Sequence, residues 1–163
     1  MASMVSTKNG GSIKNCYLQG ELHAKGSNNA GVVAILSGDA VMENVISNIY
    51  MVCEVDQNNP DNAKTWGGFI ANAQEGNIVI KNSAVISKHT DAKNPVNKFT
   101  ALTDLDRVSQ IFQNCYENGS SQGTSNSNGK NIKTATNEQL LSKEFYTSIL
   151  HLDENVWNLE NIQ

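Results

Sequence analysis

The chain has 163 residues and a formal net charge of −4, and 6% of its residues are aromatic. This length supports one domain with a hydrophobic core. The acidic balance argues against a nucleic-acid partner, because phosphate binding needs a basic face, and no apolar run is long enough to predict membrane insertion.

The N-terminal residues before the first repeat carry little structural signal. Residues 1–4 are expected to be a cloning scar, and residues 5–12 a lead-in to the first strands at 13–23. We interpret the chain as a segment cut from a larger protein.

A short phrase of an apolar residue, a polar residue, Asn and a small or apolar residue occurs four times. The copies lie at residues 13–16, 42–45, 80–83 and 112–115, so the four asparagines are 29, 38 and 32 positions apart. Periods of this size predict stacked units, none of which can bury its apolar face alone.

Each phrase has a corner at its asparagine. In the first copy the apolar positions are Ile13 and Cys16, followed by Leu18. A strand alternates with period two, so an apolar step of three requires the chain to turn at Asn15. Asn tolerates the left-handed region better than most residues. We expect the four asparagines to stack and to hydrogen-bond through their amides.

Glycine-bounded apolar strands at 31–36 and 67–71 precede two of the phrases. The unit is therefore strand, turn, strand, corner, strand. The abundance of Asn, Ser and Gly also favours a fold with many turns. The sequence predicts a mainly β fold: a right-handed parallel β-helix, or solenoid, over residues 5–130, with inserted loops at 56–64, 88–98 and 117–130.

The C-terminal region, residues 131–163, has a helical pattern. Thr136 and Gln139 match a capping box, and apolar residues follow at helical spacing at Leu140, Leu141, Phe145 and Ile149. The open end of a solenoid needs cover. We therefore expect an α-helix here that, together with Trp157, caps or flanks the last coil.

Three stretches carry a family resemblance: Gly-Gly-Phe-Ile-Ala at 67–71, Ile-Lys-Asn-Cys-Tyr-Leu-Gln-Gly at 13–20, and the tail at 136–146 and 152–159. They resemble bacterial GLUG-type repeats. The tail is similar to the segment that closes such repeats in the IgA1-specific zinc metallopeptidases of Gram-positive cocci and in related surface proteins. The resemblance implies a bacterial virulence protein, secreted or attached to the cell wall, with other domains in a large parent chain.

The zinc-binding helix of that peptidase family, HExxH, is absent. None of the three histidines, His23, His89 and His151, begins this motif. No catalytic residue, metal ligand or cofactor site is therefore assigned to this chain. The resemblance places the zinc in another part of the parent.

Other candidate residues have simpler structural interpretations. The three cysteines contain no CxxC pair and are expected to be reduced, with Cys16 and Cys115 as small buried side chains at equivalent offsets. Trp66 is expected to pack. The acidic loop at 56–61 lacks the glycine pattern of a calcium-binding repeat. Five carboxylates from different units are candidates for a catalytic pair on one face: Glu21, Asp39, Glu43, Glu54 and Glu75.

The leading hypothesis is a non-catalytic β-helix module of a bacterial zinc metallopeptidase of the IgA1 protease type. It would act as a spacer from the cell wall or help to position substrate. The first alternative is an adhesin or glycan-binding module, with a host protein or glycan as partner. The second is a polysaccharide lyase or hydrolase, because such enzymes use carboxylates on the face of a β-helix.

Overall fold

The structure is a computed structural model that describes residues 2–54, 58, 66–86, 99–103, 108–118 and 131–160. Strands dominate it. In chain order they are β1 (Ala2–Ala24), β2 (Val33–Cys53), β3 (Ile70–Val85), β4 (Thr100–Thr103), β5 (Val108–Asn118) and β6 (Ile132–Ala135). Most of the three predicted inserted loops lies outside the described residues. Of their residues, Glu117 and Asn118 belong to β5.

The strands form one open parallel sheet in the order β1-β2-β3-β5-β6, with β4 also paired to β3. The mainly β, parallel prediction is confirmed. The first strand is longer than expected, because β1 begins at Ala2 and pairs with β2 from Ala2↔Val33 onward. Residues 2–12 are therefore part of the sheet in this structure, although the sequence predicted that the strands begin at Ile13.

The four asparagine corners are confirmed. Asn15, Asn44, Asn82 and Asn114 have φ angles of 53°, 55°, 47° and 54°. The residues before them stack in register, as Lys14↔Glu43↔Lys81↔Gln113. A second corner lies upstream of each of the first three asparagines, where Gly10, Gly38 and Gly76 have φ angles of 80°, 95° and 105°.

The sheet has two apolar faces. The column face carries the apolar residues of the repeat phrase, with Met42, Ile80 and Phe112 in consecutive register and nearly inaccessible to solvent. Phe69 and Phe99 extend this cluster with stacked rings whose centroids are 4.7 Å apart. The tail face carries Ile46, Ala84 and Tyr116, which follow the corners by two residues and point the opposite way.

The C-terminal region covers the tail face and is less helical than predicted. The capping box is present, since the Gln139 N–H donates to Thr136 Oγ1 over 3.2 Å and the Thr136 N–H donates to Gln139 Oε1 over 2.9 Å. However, α1 spans only Asn137–Leu140, and a separate π-helical turn spans Phe145–Ile149.

Ser142 accounts for the break between these two helical elements. Its hydroxyl donates to the Gln139 carbonyl over 2.8 Å and accepts from the Phe145 N–H over 3.2 Å. A serine in this position ends one helical turn and starts another, because it supplies the local hydrogen bonds that helix termini lack. The expected continuous helix is therefore wrong, whereas its start is correct.

Candidate functional site

The carboxylates that the sequence singled out take part in local contacts at several places along the sheet. Glu43 lies between two lysines: its carboxylate is 2.9 Å from Lys81 Nζ and 3.3 Å from Lys14 Nζ. The hydrogen bond from Lys81 lowers the pKa of Glu43 below its ordinary value of 4.5, and Lys14 acts in the same direction. Glu43 is therefore a charged structural link across three strands.

Asp39 and Glu75 stabilise the turns near the glycine corners. The carboxylate of Asp39 accepts from the backbone N–H of Asn77 over 2.8 Å and from its side-chain amide over 3.1 Å. Glu75 accepts from the hydroxyl of Ser37 over 3.1 Å. Both contacts join neighbouring strands, so these side chains are used to hold the stack together.

Glu21 and Glu54 lie beside His23 at the end of the first strand pair. The imidazole Nε2 is 2.7 Å from Glu21, and Nδ1 is 3.8 Å from Glu54, which also contacts Lys25 at 3.4 Å. All of these side chains are about half exposed or more. In the described part of the chain, no three His, Cys, Asp or Glu side chains form a group that could hold a metal ion.

One of the other two histidines belongs to the described residues. His151 is exposed and has a φ angle of 58° in the C-terminal region, and His89 lies outside the described residues. The five candidate carboxylates and His23 are thus distributed over several places along the sheet. The structure brings Glu21 and Glu54 together beside His23, and a catalytic pairing of carboxylates stays a prediction.

Of the two cysteines that were predicted to be buried, Cys115 is buried and Cys16 is partly exposed, so the prediction is wrong for Cys16. Cys16 and Cys115 are free thiols, and Cys115 is inaccessible to solvent. Burial raises the pKa of Cys115 to about 12. Since the thiolate is the nucleophilic form, Cys115 is a packing residue.

Trp66 packs as predicted. Its ring is inaccessible to solvent against Ile49 and Met51, and its indole N–H donates to the Gly26 carbonyl over 2.7 Å. A buried indole needs this partner for its N–H. Trp66 is therefore part of the core, not a ligand platform.

Sequence reasoning missed a cleft of about 410 Å³ on the tail face. It lies between the sheet and the C-terminal region, and no charged side chain lines it in the described part of the chain. Its lining consists of amide, phenol and aliphatic groups: Asn48, Tyr50, Ile86, Asn118, Asn137, Leu140 and Leu141.

The cleft exists because the C-terminal region packs beside the strands. Phe145 lies edge-on to Tyr116 with ring centroids 5.2 Å apart, and it shares a buried cluster with Ile46 and Ala84. The side-chain amide of Asn118 donates to Asn137 Oδ1 over 3.0 Å across one end of the cleft. The sequence signal that could have predicted a covered tail face was the apolar residue two positions after a corner. Residues such as Ile46 and Tyr116 would not be expected on a solvated face.

Comparison with known proteins gives a likeness in fold. No family model matches the chain, and no curated protein sequence matches it. Among solved structures, the chain is similar to a candidate immunoglobulin A1 protease from Bacteroides ovatus, with a TM-score of 0.52 and 17% sequence identity. The similarity covers 90% of this chain and 57% of the Bacteroides protein, so the chain spans little more than half of that protein's length.

This likeness supports the predicted link to immunoglobulin A1 protease proteins at the level of fold. The GLUG-type repeat and the zinc metallopeptidase parent stay predictions. Neither helical element in the described part of the chain approaches the length and apolarity needed to cross a bilayer.

Proposed function

We propose that the chain is a non-catalytic, right-handed parallel β-helix module of a bacterial surface or secreted protein related to immunoglobulin A1 proteases. It acts as a spacer or positions substrate for a zinc metallopeptidase in the same parent chain. The zinc would be bound by that other part, because the HExxH motif is absent from this sequence.

The observation that carries the proposal is the contrast between buried and ionisable side chains. The apolar repeat residues converge on one column, whereas Glu43, Asp39 and His23 each take part in a separate local contact. Catalysis by general acid and base requires such groups to converge on one reacting atom. The arrangement instead supports a rigid stack that connects other domains.

A peptide-hydrolysis assay on this chain with zinc present tests the absence of catalysis. We expect no turnover of immunoglobulin A1. Turnover that persists through purification and is abolished by a chelator would contradict the proposal.

The two proposed roles, spacer and substrate positioning, differ in whether the chain binds the substrate. Binding of immobilised immunoglobulin A1 to the chain, measured by surface plasmon resonance, would favour positioning of substrate. A spacer predicts no binding. The gene around this segment supplies an independent check, since the proposal requires a HExxH sequence elsewhere in the parent.

The cleft on the tail face favours a second candidate function, glycan binding by an adhesin-like module. Its lining includes the side-chain amides of Asn48 and Asn137 and the aromatic ring of Tyr50, although Asn48 Nδ2 donates to Tyr17 and Asn137 Oδ1 accepts from Asn118. An uncharged lining of this kind suits the hydroxyl groups of a neutral sugar.

Calorimetric titration with neutral host oligosaccharides tests the glycan-binding candidate. We expect Tyr50→Ala to abolish the heat of binding, and Val156→Ala, at an exposed position outside the cleft, to leave it unchanged. Cleavage of a polysaccharide in the same screen would favour the lyase or hydrolase alternative instead.

A further inference from the structure

The cleft on the tail face restricts the kind of ligand that it can bind. No cationic side chain lines it in the described part of the chain, so an anion bound there would lose water without gaining a counter-charge. A purely apolar ligand would leave the side-chain amides without hydrogen-bond partners. The ligand that fits is therefore neutral and polar, with an apolar face of its own to pack on Ile86 and Leu140.

Two asparagines of the cleft keep hydrogen-bonding capacity for such a ligand. Asn48 Nδ2 donates to the hydroxyl of Tyr17 over 3.0 Å, and Asn137 Oδ1 accepts from Asn118 over 3.0 Å. Asn48 Oδ1 and Asn137 Nδ2 make no hydrogen bond with any residue that the structure describes. One acceptor and one amide donor group thus remain, and they suit sugar hydroxyls, each of which can both donate and accept.

The same face of the sheet continues beyond the cleft onto β1. Tyr50, which lines the cleft, is the register partner of Glu21, so these two residues lie about 5 Å apart on neighbouring strands. Both side chains point away from the column, because the next residues, Met51 and Leu22, pack in the cluster around Trp66. A ligand that extends from the cleft across Tyr50 therefore reaches Glu21.

The carboxylate of Glu21 is oriented by His23 and remains accessible. The imidazole Nε2 of His23 lies 2.7 Å from Glu21 Oε1, and the side chain of Glu21 is 54% exposed. The second oxygen, Oε2, contacts no other residue within the described ranges. A carboxylate held in this way accepts hydrogen bonds from sugar hydroxyls, and it repels a ligand that carries a negative charge of its own.

We propose that Glu21 sets the specificity of a sugar site on the tail face: it accepts hydrogen bonds from the hydroxyls of a neutral oligosaccharide and excludes oligosaccharides that carry a carboxylate or sulfate there. One sugar unit packs on Tyr50 in the cleft, and the next lies over Glu21. The net charge of −4 on the chain acts in the same direction. The inference rests on the glycan-binding candidate function, which by itself assigns only the cleft.

The probes are pairs of host-type oligosaccharides, each a neutral tetrasaccharide and the same tetrasaccharide with one terminal sialic acid. Calorimetric titration of the full chain is expected to give saturable binding of neutral members. Binding of their sialylated counterparts is expected to be at least about tenfold weaker. Because this preference is measured on the unaltered chain, it does not depend on how any variant folds.

Glu21→Gln keeps the shape of the side chain and removes its charge. We expect this variant to bind the neutral sugars about fivefold more weakly and to reduce the difference within a pair to less than about threefold. Glu75→Gln is the matched control, because it removes the same charge from an exposed side chain beside a glycine corner. The control is expected to leave both the affinity and the preference unchanged.

Two results would overturn the proposal and leave the glycan-binding candidate standing. The first is equal binding of both members of a pair by the original chain. The second is a preference for neutral sugars that survives in Glu21→Gln although Tyr50→Ala abolishes the binding. No saturable binding of any neutral member up to millimolar concentration would refute the glycan-binding candidate together with the proposal.

Discussion

The column face and the tail face of the sheet are both apolar, yet they are buried in different ways. The column face is filled by residues at the same offset from each asparagine, as in the series Ile13, Met42, Ile80 and Phe112. The tail face is covered by a separate C-terminal region that shares none of the repeat. The first face is therefore stabilised by repetition, and the second depends on a long-range contact within one chain.

The largest expected effect follows from disturbing the glycine corner that the stacked strands share. A Cβ at Gly76 would lie 2.3 Å from the carbonyl carbon of Gly38, and the φ angle of Gly76 is +105°. We expect Gly76→Ala to lower the free energy of unfolding by more than about 4 kcal/mol, measured by urea denaturation followed by circular dichroism.

Gly26→Ala is the control for this substitution. A Cβ at Gly26 would meet nothing within 4 Å. Its effect is expected to stay within about 0.5 kcal/mol. If both variants unfolded at the same urea concentration as the original chain, the close approach of the two corners would be wrong.

Truncating one aromatic ring on each face compares the two modes of burial directly. Phe99 stacks on Phe69 in the column face, and Phe145 packs on Tyr116 in the tail face. We expect Phe99→Ala and Phe145→Ala each to cost about 3 to 5 kcal/mol. Hydrogen exchange should separate them, because Phe145→Ala should increase exchange in residues 137–150 more than in β3.

Phe99→Ala should increase exchange across β3 as well as in its own neighbours, since the column is continuous. Equal increases in both regions for both variants would show that the two faces unfold as one cooperative unit. The two faces would then differ in how they are packed but not in the free energy of their local unfolding.

A smaller effect is expected between Asn44 and Asn82. Here a serine hydroxyl takes the place of the amide–amide hydrogen bond that joins each of the other two neighbouring asparagine pairs. The side-chain oxygen Oδ1 of Asn44 is buried without a partner in the described structure. Beside it, Ser83 Oγ accepts from the backbone N–H of Val45 over 3.2 Å. Ser83→Ala should cost about 1 to 3 kcal/mol, because it leaves that buried N–H unsatisfied. The exposed Ser12→Ala is the control in the same thermal melts, and an equal effect of both changes would contradict this role.

The smallest effect concerns the charges that link three strands at the surface. Replacing Glu43 by Gln removes two ion pairs and should cost about 0.5 to 1 kcal/mol at pH 7. The pKa of Glu43 is lower in the folded chain than in the unfolded chain. Its carboxylate therefore contributes its full stabilisation at pH values above the unfolded pKa. This stabilisation is lost as the pH falls through the lower pKa of the folded chain.

The stability difference between the original chain and Glu43→Gln should therefore shrink as the pH falls below 4.5. Glu75→Gln, where the partner is the hydroxyl of Ser37, serves as the control and should show a smaller difference. A difference for Glu43→Gln that is independent of pH would rule out the ion pairs as its cause.

Much of the column face could be predicted from the sequence because its determinants are local. Asn in the left-handed region and an apolar step of three around it are properties of four consecutive residues, and they predicted the corners at Asn15, Asn44, Asn82 and Asn114. The capping box at Thr136 was predictable for the same reason. The break in the helix was missed, because Ser142 looks like an ordinary helical residue until its two hydrogen bonds are seen.

The candidate site depends on contacts that no local pattern contains. The sequence by itself determined where the chain turns and which residues share a stacked column, since backbone preference and repeat spacing are written in neighbouring residues. Only the tertiary structure decided that Phe145 meets Tyr116, that a cleft opens on the same face, and that residues 2–12 belong to β1. These features arise from the packing of segments far apart in the chain, where many pairings are compatible with the same apolar pattern and the total burial selects among them.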